Sequence, residues 1–299
     1  MKYFVSWTHS DPVYQRYFTD VRTLISPPNV SLTWHVGRWP SVPTELIVDS
    51  GAFQYHRTGR SPSPEVVLDR QIQLATGLNT VVGICHLDVL SAGVHDPADA
   101  LQRLTQNLTQ ARWLIEQGSD VLPANIELIG VIQGKDVEQI FYVAQALAAM
   151  GYQRFALGSL AGKVANARDE VLRRTEAALE AVGSRIHMLG VSSVPVLEAL
   201  ARLGIESADS GAPIKDAARG GIFYSEPFRR YKLPSPHFRE WQRSYSFAEV
   251  LESPLPCTCP VCRDDPNQLL NPHGKVAVNL RALHNYYHLR RDIEGSQVG

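Results

Sequence analysis

Three aspartates stand where an apolar run stops. Leu46-Ile47-Val48 leads into Asp49-Ser50-Gly51-Ala52-Phe53-Gln54, the run from Val81 to Leu87 into Asp88, and the run from Ile205 to Ala208 into Asp209. Two further runs end in an amide or glycines, Gly130-Val131-Ile132 in Gln133-Gly134 and Ala156-Leu157 in Gly158-Ser159-Leu160. One such Asp would ordinarily be read as a cap for the helix that follows. Three of them, with an amide and exposed backbone, can divide labour on one ligand: one carboxylate as nucleophile, one as proton shuttle, one to read a donor-bearing edge. Paired carboxylates are also how glycosidic bonds are cut with retention, through a covalent sugar-enzyme intermediate.

A second constellation lies further on. Cys257, Cys259 and Cys262 crowd into Cys-x-Cys-x2-Cys, and His284 follows after 21 intervening residues. Three thiolates and one imidazole make a closed tetrahedral set for a structural Zn2+, with no open position for catalysis. His288, four residues on and on the same helical face, competes with His284 as fourth ligand; His273, in a Pro-Gly turn, fits less well. The bland reading is three free thiols beside an unrelated His. Cys85 stands alone in an apolar run, so the four cysteines do not suggest a disulfide framework.

Positioning such residues takes regular elements. Apolar, β-branched segments recur at Tyr3 to Trp7, Val30 to Val36, Leu46 to Asp49, Val81 to Asp88, Ile126 to Gln133, Phe155 to Gly158, Ile186 to Val191 and Ile205 to Asp209. Several are continuous rather than alternating, the pattern of strands covered on both faces. Between them lie helical stripes. Leu101, Leu104, Leu108, Ala111 and Ile115 predict a helix over Pro97 to Gln117, N-capped by Asp96 and stopped by Gly118. Val137, Ile140, Phe141, Ala144 and Leu147 predict another, and Leu172, Thr175, Leu179 and Val182 a third, with shorter helices over Pro64 to Ala75 and Val194 to Leu203. Strand followed by helix, repeated over about 200 residues, predicts an α/β fold: a (β/α)8 TIM barrel over residues 1–210, with a doubly wound sheet as the runner-up. From Gly211 the texture turns to Pro, Arg and aromatics, then the Cys cluster and a helix from about Lys275 to Arg291. Residues 211–299 are therefore expected to form a zinc-binding subdomain packed on the barrel.

The chain has 299 residues, 44% of them hydrophobic and 20% charged, which excludes a disordered protein. Its longest uncharged stretches, such as Ile140 to Gln153, are too short to span a membrane, and no signal-peptide core follows Met1, so a cytoplasmic location is expected. With 29 basic and 30 acidic residues the net charge is -1. The excess is uneven, however: Lys215, Arg219, Arg229, Arg230, Lys232, Arg239 and Arg243 face only Asp216, Glu226 and Glu240 between Gly211 and Tyr245. That segment is where a phosphate-facing surface would sit, although such an excess is often just a solvated face.

Asp49-Ser-Gly-Ala-Phe-Gln54, Gly130-Val-Ile-Gln-Gly134, Leu157-Gly-Ser-Leu-Ala-Gly162, Met188-Leu-Gly-Val191, Gly204-Ile-Glu-Ser-Ala-Asp-Ser210 and the Cys cluster with His284-Asn285 resemble, in order, the motifs of the tRNA-guanine transglycosylase family. The resemblance covers roughly Leu46 to His288. It implies a zinc-bearing barrel that exchanges guanine in a nucleic acid for a 7-deazaguanine, as in queuosine modification of tRNA. Carried over, it implies Asp209 as the nucleophile at the sugar C1′ and Asp49 as general acid/base near the leaving base. Asp88 and Gln133 would read the guanine edge, Gly158 and Ser159 would offer backbone amides, and Phe53 and Leu189 would sandwich the ring. If the substrate is a nucleic acid, the local basic excess makes Lys215, Arg219, Arg229, Arg230 and Lys232 the residues expected to meet phosphates, and a homodimer is left open.

The sequence also departs from the family pattern. Ala52 replaces a second glycine, Lys163 stands where an acid is expected, and Pro213-Ile214-Lys215 replaces the Pro-Thr-Arg that helps to read an anticodon loop. These departures leave room for the DpdA-type relatives that insert 7-cyano-7-deazaguanine into DNA. Two other classes remain to be weighed: a non-catalytic barrel subunit that binds nucleic acid, against which both Asp49 and Asp209 are retained, and a metal-dependent hydrolase using His86, Asp88 and Asp209, which lacks the further strand-end histidines such sites use.

Overall fold

In the computed structural model, residues 1–30, 42–76, 78–91, 93–158, 160, 168–234 and 249–295 are described. Eight parallel strands follow one another around a closed barrel: β1 (Lys2–Trp7), β2 (Arg22–Ile25), β3 (Glu45–Val48), β4 (Val81–Cys85), β5 (Glu127–Ile132), β6 (Arg154–Leu157), β7 (Ile186–Met188) and β8 (Ser207–Ser210). The ring closes where β1 pairs with β8, Phe4 beside Asp209 and Val5 beside Ser210. Helices α1 (Ala52–Arg57), α2 (Pro64–Ala75), α3 (Pro97–Val121), α4 (Val137–Ala149), α5 (Arg168–Val182), α6 (Val194–Arg202) and α7 (Ala212–Ala218) intervene or follow. The expected (β/α)8 barrel is the fold.

Strand side chains alternate between the barrel interior and the helix layer. Phe4, Leu24, Ile47, Cys85, Ile129, Val131 and Ala156 fill the interior. Their neighbours Tyr3, Val5, Leu46, Val48, Ile84, Leu157 and Met188 belong to the outer core. Two residues beyond the interior set come Ser6, Ser26, Asp49, Gln133 and Gly158, at the C-terminal end of the barrel. This two-residue step is what gathers polar side chains over an apolar floor.

The structure corrects several expectations. The second barrel strand is Arg22–Ile25, not Val30 to Val36: Pro27–Asn29 forms a 3-10 turn ahead of Val30, and residues 31–41 lie outside the described part. The α3 helix begins as expected, Asp96 accepting from the backbone N–H groups of Ala98 and Asp99, but it runs through Gly118 to Val121. A Cβ at Gly118 would lie 2.9 Å from Leu114 Cδ1, so glycine there serves packing rather than termination. Leu101, the first residue of the expected stripe, is 61% exposed.

Beyond the barrel, β9 (Gly221–Tyr224) and β10 (Arg229–Lys232) are antiparallel, and β11 (Glu249–Val250) adds in parallel to β10. The helix Gly274–Glu294 packs against α7, α6, β9 and β1. Its fully buried Asn285 accepts from Phe223 N–H at 2.9 Å and donates to the carbonyls of Pro213 and Gly221 at 3.2 and 3.0 Å. At the other end of this helix Glu294 accepts from Tyr3 N–H and from Arg22, each at 2.8 Å. One apolar core runs without a break from Tyr3 through Ile222 and Phe223 to Cys259 and Leu283.

Candidate active site

A cavity of about 440 Å³ opens at the C-terminal end of the strands. Asp49, Asp88, Gln133, Gly158, Leu189 and Asp209 line it, with Phe53 at 51% exposure and Lys215 at its rim. Every cavity residue expected from the sequence is therefore brought together, except Ser159, which lies outside the described residues.

Asp49 ends β3 and is held there. Ser26 Oγ donates to its Oδ2 at 2.9 Å and Gly51 N–H at 3.1 Å. Gly51 adopts φ 84°, a left-handed conformation that favours glycine, and a side chain there would collide with Pro28. Buried Gln71 of α2 donates to the carbonyls of Asp49 at 3.2 Å and Cys85 at 2.8 Å, tying β3 to β4. Burial pushes the Asp49 carboxyl up; the hydrogen bonds of Ser26 and Gly51 oppose this, and the charge of Asp209 adds to it.

Asp88 comes three residues after β4 ends, so it is out of phase with the other acids. Ser50 Oγ donates to its Oδ1 at 2.9 Å and Gln133 Nε2 to its Oδ2. A side chain at Gly158 would strike the Gln133 amide, so the glycine leaves room for that contact. Burial, with the charge of Asp49, pushes Asp88 up to about 7 against the pull of Ser50 and Gln133. Arg174, 1% exposed, donates to the carbonyls of Gly134 and Lys135 and so holds the turn after Gln133.

Asp209 is 4% exposed. Burial alone would raise its carboxyl, but the hydrogen bond of His187, with those of Ser6 and the Gly190 N–H, brings it below the ordinary value. The surroundings thus favour the ionised form at Asp209 and the protonated form at Asp49 and Asp88. Ser6, Ser26, Ser50, His187 and Ser207 were not picked out from the sequence. Their signal is the alternation, since Ser6 and Ser26 follow Phe4 and Leu24 by two and His187 and Ser207 precede Leu189 and Asp209 by two.

His86 belongs to the core. It is 1% exposed, its Nε2 lies 3.2 Å from Asn107 Oδ1, and its Nδ1 accepts from Val131 N–H at 3.1 Å. Both ring nitrogens are engaged away from the cavity, which removes the support for a His86 metal hydrolase.

The ligand atoms of Cys257, Cys259, Cys262 and His284 all lie within 4.8 Å of one another. His284 Nε2 is 2.8 Å from the Phe223 carbonyl, an acceptor, so Nε2 carries the proton and the Nδ1 lone pair faces the sulfurs at 3.3 to 3.9 Å. His288 is a poorer ligand. Its Nδ1 accepts from Ser225 N–H at 3.0 Å, leaving Nε2–H to donate to Cys257 Sγ at 3.1 Å. The donor set and its orientation fit a structural zinc, with His284 as fourth ligand and His288 supporting a thiolate.

The basic residues differ in their freedom. Lys215 and Arg229 are exposed. Arg230 lies 3.4 Å from Asp216 and over the Phe223 ring at 5.2 Å, while Arg219 also acts on Asp216. Lys232 is half-buried, and Arg239 and Arg243 lie outside the described residues.

Comparison with known proteins adds a second line. The model of the queuine tRNA-ribosyltransferase family matches residues 39–297. The queuine tRNA-ribosyltransferase of Chlamydia felis (strain Fe/C-56) is 27% identical over 256 residues, 82% of this chain and 63% of that protein, so the chain spans under two thirds of this curated relative's length. Ser6 and Ser26, which hold the two strand-end acids, lie ahead of the matched region. With the barrel, the acid-lined mouth and the Cys3His cluster in place, a match over residues 39–297 means that the chain belongs to the queuine tRNA-ribosyltransferase family.

Proposed function

We propose that the chain is a nucleic-acid guanine transglycosylase, a pentosyltransferase that exchanges guanine for a 7-deazaguanine through a covalent Asp209-sugar ester. The observation that supports this most is the pairing, in one cavity, of Asp209, whose carboxyl is lowered by its hydrogen bonds, with Asp49, whose carboxyl is raised by burial. In this reading Asp209 attacks C1′ and Asp49 moves the proton of the leaving base. Asp88 and Gln133 take the donor and acceptor edge of guanine and Phe53 and Leu189 flank the ring; of the two expected backbone amides only that of Ser159 is proposed, because the Gly158 N–H is taken by the Ile132 carbonyl at 3.0 Å. A purine flipped from its strand has faces that want stacking and a donor edge that wants a carboxylate. A non-catalytic subunit would have no use for acids held this closely.

Residues 1–210 act as the catalytic barrel and 211–299 as its zinc-stabilised partner layer, a cytoplasmic enzyme with tRNA as first substrate and DNA as the alternative. Among the described residues, no helix is long and apolar enough to cross a membrane. The deciding experiment supplies purified protein with radiolabelled guanine and either tRNA or double-stranded DNA, alongside nucleoside mass spectrometry of both polymers from cells with and without the gene. Incorporation into tRNA is the expected result. Label and 7-cyano-7-deazaguanine found in DNA alone would replace tRNA by DNA, and label in neither would end the transglycosylase reading.

The phosphate contacts are proposed for Lys215, Arg219, Arg229, Arg230 and Lys232. Removing one contact should weaken binding on all sequences alike and lower the slope of log K against log salt by about 0.7 to 0.9. Arg229→Ala should show this cleanly because Arg229 is exposed, whereas Arg230→Ala should also lower stability, since Arg230 neutralises buried Asp216. A salt slope unchanged in both variants would make this surface merely solvated.

A further inference from the structure

The two oxygens of Asp209 are held differently. Oδ1 accepts from Gly190 N–H at 2.9 Å and lies 3.2 Å from His187 Nε2; Oδ2 accepts from Ser6 Oγ. His187 is itself fixed. It is 1% exposed, stands edge-on to Phe4 with ring centroids 5.4 Å apart, and has Nδ1 2.9 Å from Ser207 Oγ. An ionised carboxylate only accepts, so Nε2 must carry the proton, and the neutral ring then offers Nδ1 as acceptor for the Ser207 hydroxyl. The chain of donation runs from Ser207 to His187 to Asp209.

We propose that His187 is the positioning residue of the nucleophile, anchoring Oδ1 of Asp209 so that Oδ2 is the oxygen that bonds to C1′. The proposal rests on the transglycosylase reading and deepens it. Gly190 N–H and the His187 ring are rigid donors, whereas a hydroxyl turns about its C–O bond and can leave Oδ2 as the substrate arrives. In the first step an Oδ2 electron pair forms the bond to C1′, the bond from C1′ to the guanine nitrogen breaks, and its pair departs with the base, which takes a proton from Asp49. Oδ1 becomes the ester carbonyl and keeps both donors. In the second step the ring nitrogen of the incoming base bonds to C1′, its proton passes to the Asp49 carboxylate, and the C1′–Oδ2 pair returns to Asp209. His187 neither gains nor loses a proton in either step; it orients the acid and favours its ionised form.

The other titratable groups that feel the charge of Asp209 are Asp49 across the mouth, Tyr3 on β1 and Cys85 on β4. The test therefore reads His187 and Asp209 directly. Nitrogen NMR on the labelled full chain should show the Nε2–H tautomer, and carbon NMR should show the Asp209 carboxyl titrating higher in His187→Leu than in wild type. Losing a charge-assisted donor should lower kcat about 10- to 100-fold with KM for the nucleic acid within about twofold. The acid limb of the pH profile should move up with the carboxyl. His187→Gln, which keeps an N–H, should recover much of the loss, and remains informative if the Leu variant folds poorly.

A purely structural His187 would lower the melting temperature without moving either titration or pH limb, and that result overturns the proposal. So does an Nδ1–H tautomer in the wild type. Absence of wild-type exchange on tRNA and DNA alike overturns the transglycosylase reading instead, while the Asp209 titration still reports whether His187 holds the acid.

Discussion

Asp209→Asn is expected to abolish guanine exchange, by about four orders of magnitude or more as is usual when a nucleophile is removed, together with any trapped covalent complex. An exchange must conserve the energy of the sugar-base bond while one base leaves and another enters, and a carboxylate does this by forming a sugar ester that the incoming base opens. An amide is far too weak a nucleophile to form it. The substitution is nearly isosteric, and Asn can still accept from Gly190 N–H through its oxygen while its NH2 donates to the Ser6 hydroxyl, so the barrel should remain folded. Asp49→Asn should behave differently, slowing exchange while nucleic-acid binding persists, because its work lies in the transition state. Measured on protein with wild-type circular dichroism, radiolabelled guanine incorporation by Asp209→Asn at the wild-type rate would refute the assignment. If Asp209 were only a cap, its loss would lower stability and leave chemistry intact.

The acids were legible in the sequence because barrel strands are short, continuous and apolar, so a polar residue that ends a run is at the C-terminal mouth. What supports the acids was not. Ser6, His187 and Ser207 sit inside strands that read as ordinary apolar segments and Ser26 follows a strand that the sequence pattern misses, and only the interior-exterior alternation of the finished barrel shows that Ser6 and Ser26 line the cavity while His187 and Ser207 back Asp209. The second strand was misplaced for a related reason. Arg22–Ile25 is four residues long and precedes two prolines, while the longer β-branched run from Val30 offered a stronger local signal. Only pairing with β1 and β3 identifies the true strand. His284 and His288 share a helical face, so spacing alone could not separate them. The Phe223 carbonyl and the Ser225 N–H do, by fixing which ring nitrogen of each carries the proton.

Removal of zinc is the second large effect expected. The purified chain should carry one zinc per molecule, held by Cys257, Cys259, Cys262 and His284, and a structural zinc binds with about 10–16 kcal/mol at neutral pH, comparable to or larger than the stability of a whole domain. Without it three sulfurs and a desolvated imidazole are left packed together, with Cys259 and His284 fully buried. Chelation should therefore release hydrogen-exchange protection in residues 211–295 before it touches β3 to β6. Activity should fall in the same step although no zinc ligand lines the cavity. The His284 helix also carries Asn285, which holds the Pro213 carbonyl, and Arg281, which donates to the Ala217 carbonyl at 3.2 Å; together these place α7 and with it Lys215 at the cavity rim. Cys259→Ser should reproduce the chelated state, since it removes a fully buried ligand. Less than half an equivalent of zinc by elemental analysis, or protection in residues 211–295 that survives chelation, would show that the packed core holds this layer without the metal.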